Sequence, residues 1–454
     1  MNKSNQYVII LSLISGVLPT LSFSTITYLQ QQNHHKSFCP LVLALKDDIE
    51  DSTVQTPRRR RKRYSGRYPR NFEEKYKEHQ GDESTIQKVL AKGMTPAGMH
   101  VPIMVKECLH FMGLDGSTAN EDDGDLLVID CTLGHGGHSS FILKYLCDRN
   151  DGSRLISFDQ DSIEIKKTQE RLITALKENN LPSLHDMGQT CIKPYTYHDQ
   201  MFNTVNQNFQ TLASYLSSSN QMGKVTNLLA DLGLSSMQID DNSRGFTYKR
   251  DGPLDMRMNP DDENIESAYD LLRRLRVRQL KSLLRENSDE VFASEIAVAL
   301  VGKGSKIPET TIELAERVRD TVRPLLQKNG GKMTKKEMAE MKKQLDSTIA
   351  RVMQAIRIEV NGEFRALDKL LADIPNILAP GGRAVFLTFH SGEDRRVKKS
   401  FKNGFKSGIY SAWSDDVVRP TKEERRNNPR SSCCKLRWAV RSEKKLEEEL
   451  ISLD

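Results

Sequence analysis

Leu127–His138 reads LVIDCTLGHGGH, and the order of residues in this stretch decides the fold. Three apolar residues, Leu127, Val128 and Ile129, run into Asp130 and then into a turn carrying Gly134, Gly136 and Gly137. An amphipathic stretch, SSFILKYL, follows at once. A buried strand, a glycine turn and a helix over about Ser139–Leu146 put backbone N–H groups and a helix N-terminus at the carboxyl edge of a sheet. Such an edge suits an anionic or nucleoside ligand. The turn alone leaves methyltransferase, oxidoreductase and kinase chemistry open.

Outward from this turn, RLISF (Arg154–Phe158) reads as a second strand ending on Asp159. That acid lies 25 residues beyond Gly134, near the roughly 20-residue offset at which dinucleotide-type folds hold ribose hydroxyls on a carboxylate. Ser162–Glu178 reads as a helix, Leu181–Met201 as a loop insertion, Phe209–Leu216 as a helix, and Asn227–Ala230 as a strand ending at Asp231. DLGLSSMQID and SRGFTYKRDGPLDMRMNP follow, dense in Gly, Pro, Arg and Asp as site-building loops are. HVPIMVKECLHFM, near Met99, has helical spacing. From Ile265 to about Lys343 the apolar residues recur at three and four, which predicts an all-helical insertion broken at Gly330-Gly331. A long helix at Ile349–Leu371, a turn at Pro380-Gly381-Gly382 and a buried strand at Ala384–Phe389 resume the sheet. The expected class is α/β, a sheet interrupted by helices. The sheet domain is placed at 91–262 and 346–410, the helical domain at 263–345, and a basic C-terminal tail at 411–454.

The net charge of +6 is unevenly placed across the 454 residues. Pro57–Arg70 carries eight basic side chains and no acid, and Arg419–Arg437 carries seven against two. The first reads as a solvated arm and the second as RNA-facing. Seven cysteines without a CxxC pair argue against a disulfide framework, and the ten histidines form no HExxH, so no metal site is expected. Residues 1–46 contain no acid and include an apolar run of a dozen, YVIILSLISGVL, too short to span a bilayer comfortably. A signal-like segment followed by transit-like composition resembles the two-part leader of proteins sent to complex plastids, with Phe23 after the cleavage point; a mitochondrion is the alternative. Residues 1–90 are read as presequence and arm. No membrane contact is expected of the mature form, and a homodimer is left open.

The combination of motifs narrows the chemistry. HVPIMVKE, VIDCTLGHGGHS, FDQD, DLGLSSMQID, RGFTYKRDGPLDMRM, MQAIRIEVNGEF, APGGRAVFLTFHSGEDRRVK and PRSSCCKLR occur in this order over His100–Arg437. Together they resemble the bacterial-type family of small-subunit ribosomal RNA cytosine-N4 methyltransferases, which use S-adenosylmethionine. The resemblance implies a class I methyltransferase domain, a doubly wound Rossmann-like sheet, interrupted by an all-helical domain, with small-subunit ribosomal RNA or the assembled subunit as partner. It implies cofactor contacts at Gly136, Gly137, His138, Asp159, Phe209, Asp231 and Gln238. The family usually carries Leu at Gly392 and Phe at Met353.

Methylating an exocyclic amine requires acceptors that hold its N–H groups and aim its nitrogen. No Pro-Pro occurs in the chain, so the Pro-Pro-Tyr device of DNA amino-methyltransferases is missing. Asp231 or Ser235 is the candidate acceptor, with Asp255, Arg257 and His390 as further catalytic candidates. Arg244, Lys249, Arg250 and Arg257, interleaved with Phe246 and Tyr248, are candidates for phosphate contact and base stacking. A non-catalytic RNA-binding assembly factor retaining the fold is the alternative.

Overall fold

The computed structural model describes residues 102–116, 124–182, 199–327 and 333–443. The expected presequence and arm, the 183–198 part of the expected insertion and the Gly330-Gly331 break lie outside the described residues. Seven strands form one sheet: β1 (Leu127–Asp130), β2 (Arg154–Phe158), β3 (Phe202–Val205), β4 (Val225–Asp231), β5 (Leu378–Thr388), β6 (Tyr410–Trp413) and β7 (Lys435–Arg441). Their order is β3-β2-β1-β4-β5-β7-β6. β1 to β5 pair in parallel, and β7 runs antiparallel between β5 and β6. The order reverses direction at β1 and β4, so the crevice at their carboxyl ends is the place where such sheets take ligands.

The helices begin with α1 (Val105–Met112), ahead of β1, then α2 (Gly137–Arg149), α3 (Ser162–Lys177), α4 (Leu212–Ser218) and the short α5 (Ser236–Asp240). Between β4 and β5 come α6 (Ala268–Arg274), α7 (Val277–Ser288), α8 (Ala293–Val301), α9 (Thr311–Leu326) and α10 (Lys335–Asn361). Then follow α11 (Glu363–Ile377), α12 (Ser391–Lys406) and α13 (Lys422–Asn427).

Side chains alternate across a strand, so each buried strand feeds two cores. Val128, Leu229, Val385 and Leu387 face α1, α2 and α3, where Met112, Ile142, Leu146 and Leu172 are buried. Ile129, Leu228, Ala384 and Phe386 face Leu216 of α4, Ile374 of α11 and Phe401 of α12. The helices from α6 to α10 close over a third core of their own, including Leu272, Leu284, Ile296, Val318, Ile349 and Val360.

The structure departs from these expectations at five places. β3 falls where no apolar run exists, because FNTV turns only its first and last residues inward. The expected helix at Ile349–Leu371 is two helices: α10 runs 27 residues to Asn361, and Gly362 stops it at φ +62°. Residues of α10 beyond 346 belong to the third core, so the helical part reaches Asn361 rather than 345. The expected basic tail from 411 holds β6 and β7, which extend the sheet well past 410. Its charges misled because Arg437 is buried in β7, its Nε donating to Asp394 at 2.9 Å. Also, β5 begins at Leu378, and the Pro380-Gly381-Gly382 turn survives as an irregularity between the Leu378 and Arg383 pairings.

The loop after α5 is held by a close backbone approach. Gly245 sits at φ +73°, and an added Cβ would lie 2.3 Å from the Pro253 carbonyl oxygen. Gly245→Ala is therefore expected to lower stability by more than the roughly 1–3 kcal/mol of a strained backbone, read as a fall in Tm against the unchanged chain.

Candidate active site

The carboxyl ends of β1, β2, β4 and β5 border a cavity of about 500 Å³, a size that encloses a nucleoside-sized ligand. The β1 turn supplies its floor. Gly134 and Gly136 take φ +46° and +65°, which lets the chain turn sharply into α2. Asp130 anchors the turn as an acceptor: Ser139 Oγ donates to its Oδ2 at 2.6 Å and the Thr132 N–H to its Oδ1 at 3.0 Å. Gly137 and His138 line the cavity. Gly136 does not; a Cβ there would meet Thr168 and Leu172 of α3 at 2.8 Å. Gly136, expected as a cofactor contact, thus stands where the lack of a side chain lets α3 approach the turn.

Asp159 closes the next side. Its Oδ2 accepts the Gly134 N–H at 2.7 Å and its Oδ1 accepts the Asp161 N–H at 2.8 Å. Each carboxylate oxygen keeps a second lone pair, enough to take a pair of ligand hydroxyls. Burial pushes the Asp159 carboxyl up to about 6, against the pull of those two N–H groups. Phe209, on the turn after β3, lines the same side, with Gln160 and Asn208 joined at 2.8 Å.

Asp231 ends β4 at the centre of the cavity. Its backbone N–H donates to Thr132 Oγ1 at 2.8 Å, and its side-chain Oδ1 is buried without a hydrogen-bond partner. Burial pushes this carboxyl to about 6; His138 opposes the rise, and Asp130 and Glu393 add to it. His138 Nε2 lies 3.0 Å from the Ile103 carbonyl, which can only accept, so Nε2 carries a proton. Its Nδ1 then faces Asp231 Oδ2 at 3.5 Å. His138 caps no helix, since α2 has Gly136 at its N-cap.

Ser235 and Gln238 line the cavity through a capping box on α5. Ser235 Oγ accepts the Gln238 N–H at 3.1 Å, while Gln238 Oε1 accepts the Ser235 N–H at 2.9 Å. Gln238 Nε2 donates to Asp161 Oδ2 at 2.8 Å, leaving one N–H of its amide for a ligand. His390 lines the wall at the N-cap of α12, its Nε2 3.1 Å from Glu393 Oε1.

Two expected catalytic residues are not here. Asp255 and Arg257 pair with each other, Arg257 Nε and Nη2 donating at 2.9 and 2.8 Å, and neither lines the cavity. The bidentate pair holds the PLDMRM loop, and Asp255 is lowered from the ordinary carboxylate value because that guanidinium and backbone N–H outweigh its burial. Arg244 is likewise no phosphate contact: it is buried, and its Nη2 donates to Asp161 Oδ2 and the Met258 carbonyl, each at 2.9 Å. Phe246 and Tyr248 pack against the third core.

The far wall was missed as a site. Gln354 and Arg357 of α10, Glu393 of α12 and Arg430 of the segment before β7 all line it. Arg357 forks onto Glu363 at 2.8 and 2.9 Å. Arg430 is anchored by Asp240 at 3.1 Å, and its Nη1 is buried without a hydrogen-bond partner. These residues sit inside MQAIRIEVNGEF, HSGED and PRSSCCKLR, so the motifs held the signal while single-residue reasoning passed it over.

The cavity therefore combines a glycine turn, a carboxylate with spare lone pairs and a second carboxylate with a free acceptor. The profile of the MraW methylase family matches residues 97–442. The chain belongs to the MraW methylase family. A relative named ribosomal RNA small subunit methyltransferase H 1, from Lachnoclostridium phytofermentans, is 41% identical over 389 residues, spanning 85% of this chain and 93% of its own. Its namesake from Agathobacter rectalis is 40% identical over 391 residues, spanning 85% and 98%. Within the MraW methylase motifs, the Gly392 departure has a local reason. A Cβ at Gly392 would lie 2.6 Å from the Phe364 ring, so that ring already fills the space.

Proposed function

We propose that this chain is an S-adenosylmethionine-dependent methyltransferase acting on the N4 amine of a cytidine in small-subunit ribosomal RNA. The observation that carries the reading is Asp231 Oδ1, a buried acceptor without a partner, in the same cavity as Asp159. Family membership and two relatives bearing the ribosomal RNA methyltransferase name support the substrate.

The residues present fit the cofactor. Asp159 would take the ribose hydroxyls, Phe209 the adenine face, and Gly137 with His138 the amino-acid end. When bound, S-adenosylmethionine supplies a methyl group on a sulfonium, open to displacement by an amine. Asp231 Oδ1 accepts an N–H of the target amine, which fixes the nitrogen and turns its lone pair out of conjugation with the ring. Orientation of this kind is worth up to about 7–11 kcal/mol. His138 Nδ1 lies 3.5 Å from the other oxygen, Oδ2. Ser235, tied to Gln238, is the second acceptor at the same mouth. His390 and Arg430 face the cavity from the far wall, where they hold the acceptor nucleotide. The target base has to leave its stack to enter.

Incubation with labelled S-adenosylmethionine and organellar small subunits tests this directly. Label is expected on N4 of cytidine after digestion to nucleosides. Label on another base, or none in RNA, overturns the reading; RNA binding without transfer would favour an assembly factor. The rate should also depend on pH. Ionised Asp231 is the stronger acceptor, so kcat/KM is expected to rise with pH through about 6 and to level off above it.

An acid-free segment at 1–46 with an apolar run supports import into an organelle, a plastid first and a mitochondrion second. A reporter fused to residues 1–60 is expected in that organelle, and export to the medium would exclude it.

A further inference from the structure

α12 leaves the cavity at Glu393 and carries six basic residues and no acid from Arg395 to Lys406. Arg395, Lys399, Lys402 and Lys406 are exposed, and their spacing of four, three and four puts them on one helix face. The opposite face is buried through Val397, Phe401 and Gly404. Arg395 makes an exposed pair with Asp289 at 2.9 Å. Among the described residues, no carboxylate pairs with Lys399, Lys402 or Lys406. Like charges at these spacings repel along a helix, so folding gains nothing from them.

The row has a direction and an end. It starts two residues beyond Glu393 in the cavity wall and covers about 16 Å of helix, at about 1.5 Å per residue. Beside it, a groove of about 540 Å³ between α11 and α12 is lined by Arg395, Arg396, Lys399 and Asn403. At the far end Phe405 is 46% exposed, with the Trp413 ring 6.5 Å away. Unpaired cations in line with an exposed aromatic match a polyanion that also offers flat bases.

We propose that this face of α12 is the track for the single-stranded RNA next to the target nucleotide. Its phosphates lie along Lys399, Lys402 and Lys406, and an unpaired base stacks on Phe405. The assignment rests on the RNA-methylation reading above. It gives the substrate a path out of the cavity that avoids the RGF…PLDMRM loop, whose Arg244 and Arg257 are already paired.

The test uses the full chain and an unstructured RNA of about 15 nucleotides. Lys399→Glu/Lys402→Glu/Lys406→Glu is expected to weaken binding tenfold or more at about 0.1 M salt. It should also flatten the slope of log K against log salt by about 2, near 0.7 per lost phosphate contact on a single strand. Phe405→Ala is expected to weaken binding several-fold with the slope unchanged, which separates stacking from charge. Unchanged affinity and slope in the triple variant would overturn the track. Methyl transfer is read in parallel. A wild-type chain that binds through these lysines yet labels no RNA leaves the track standing and removes the methylation reading. Variants that methylate RNA with unchanged KM do the reverse.

Discussion

Asp231→Asn is expected to lower the rate of methyl transfer by about 10²–10⁴-fold, the range for a lost general base or acceptor, while the fold persists. The substitution keeps the shape of the side chain and its neighbours, but it replaces one acceptor oxygen with a donor. The target amine then meets an N–H where it needs a lone pair. Stability is expected to hold or rise. Burial raises the folded carboxyl of Asp231 from 3.8 to about 6. The folded chain therefore binds this proton more tightly than the unfolded chain does, and the stability it contributes falls as pH rises between those values. Above pH 6 the ionised carboxylate is a burden that Asn lacks. Thermal melts at pH 7 together with single-turnover labelling check both halves. A variant that loses activity by unfolding, with Tm well below the wild type, would sink the argument.

Asp394→Ala is expected to destabilise the chain by about 3–5 kcal/mol, as breaking one side of a buried pair does. Asp394 receives Lys435 Nζ at 2.7 Å and Arg437 Nε at 2.9 Å, and the guanidinium lies in a side chain only 5% exposed. Those two cations hold the carboxyl below the ordinary carboxylate value against its partial burial. With a depressed folded value, its stabilisation is present at neutral pH and disappears as pH falls through that value. The gap in Tm between wild type and variant should therefore narrow in acid. Asp394→Ala/Arg437→Leu is expected to recover part of the loss, because it removes the orphaned charge as well. Equal Tm values for wild type and Asp394→Ala at pH 7 would refute the account.

By itself the sequence determined the strand, glycine turn and helix at Leu127–Leu146, the acids that end two strands, and the helical interruption. Those features are local: period-two and period-3.6 patterns and glycines needed at positive φ are written within a few residues of one another. The motif order also determined the family. Tertiary structure alone decided the rest. β3 has no local apolar signal and forms because β2 offers it an edge. Arg244 and Arg437 read as RNA-facing cations until the fold buries each against a distant acid, Asp161 and Asp394. Asp255 and Arg257 stand in a site-like loop yet satisfy each other, whereas Arg430 reaches the cavity from 190 residues beyond its anchor Asp240. The LVIDCTLGHGGH turn was legible as a cradle, but only the folded chain sorts its glycines. Gly137 meets the cavity and Gly136 meets α3, because the approach of a second helix is a distance that no spacing within the turn encodes.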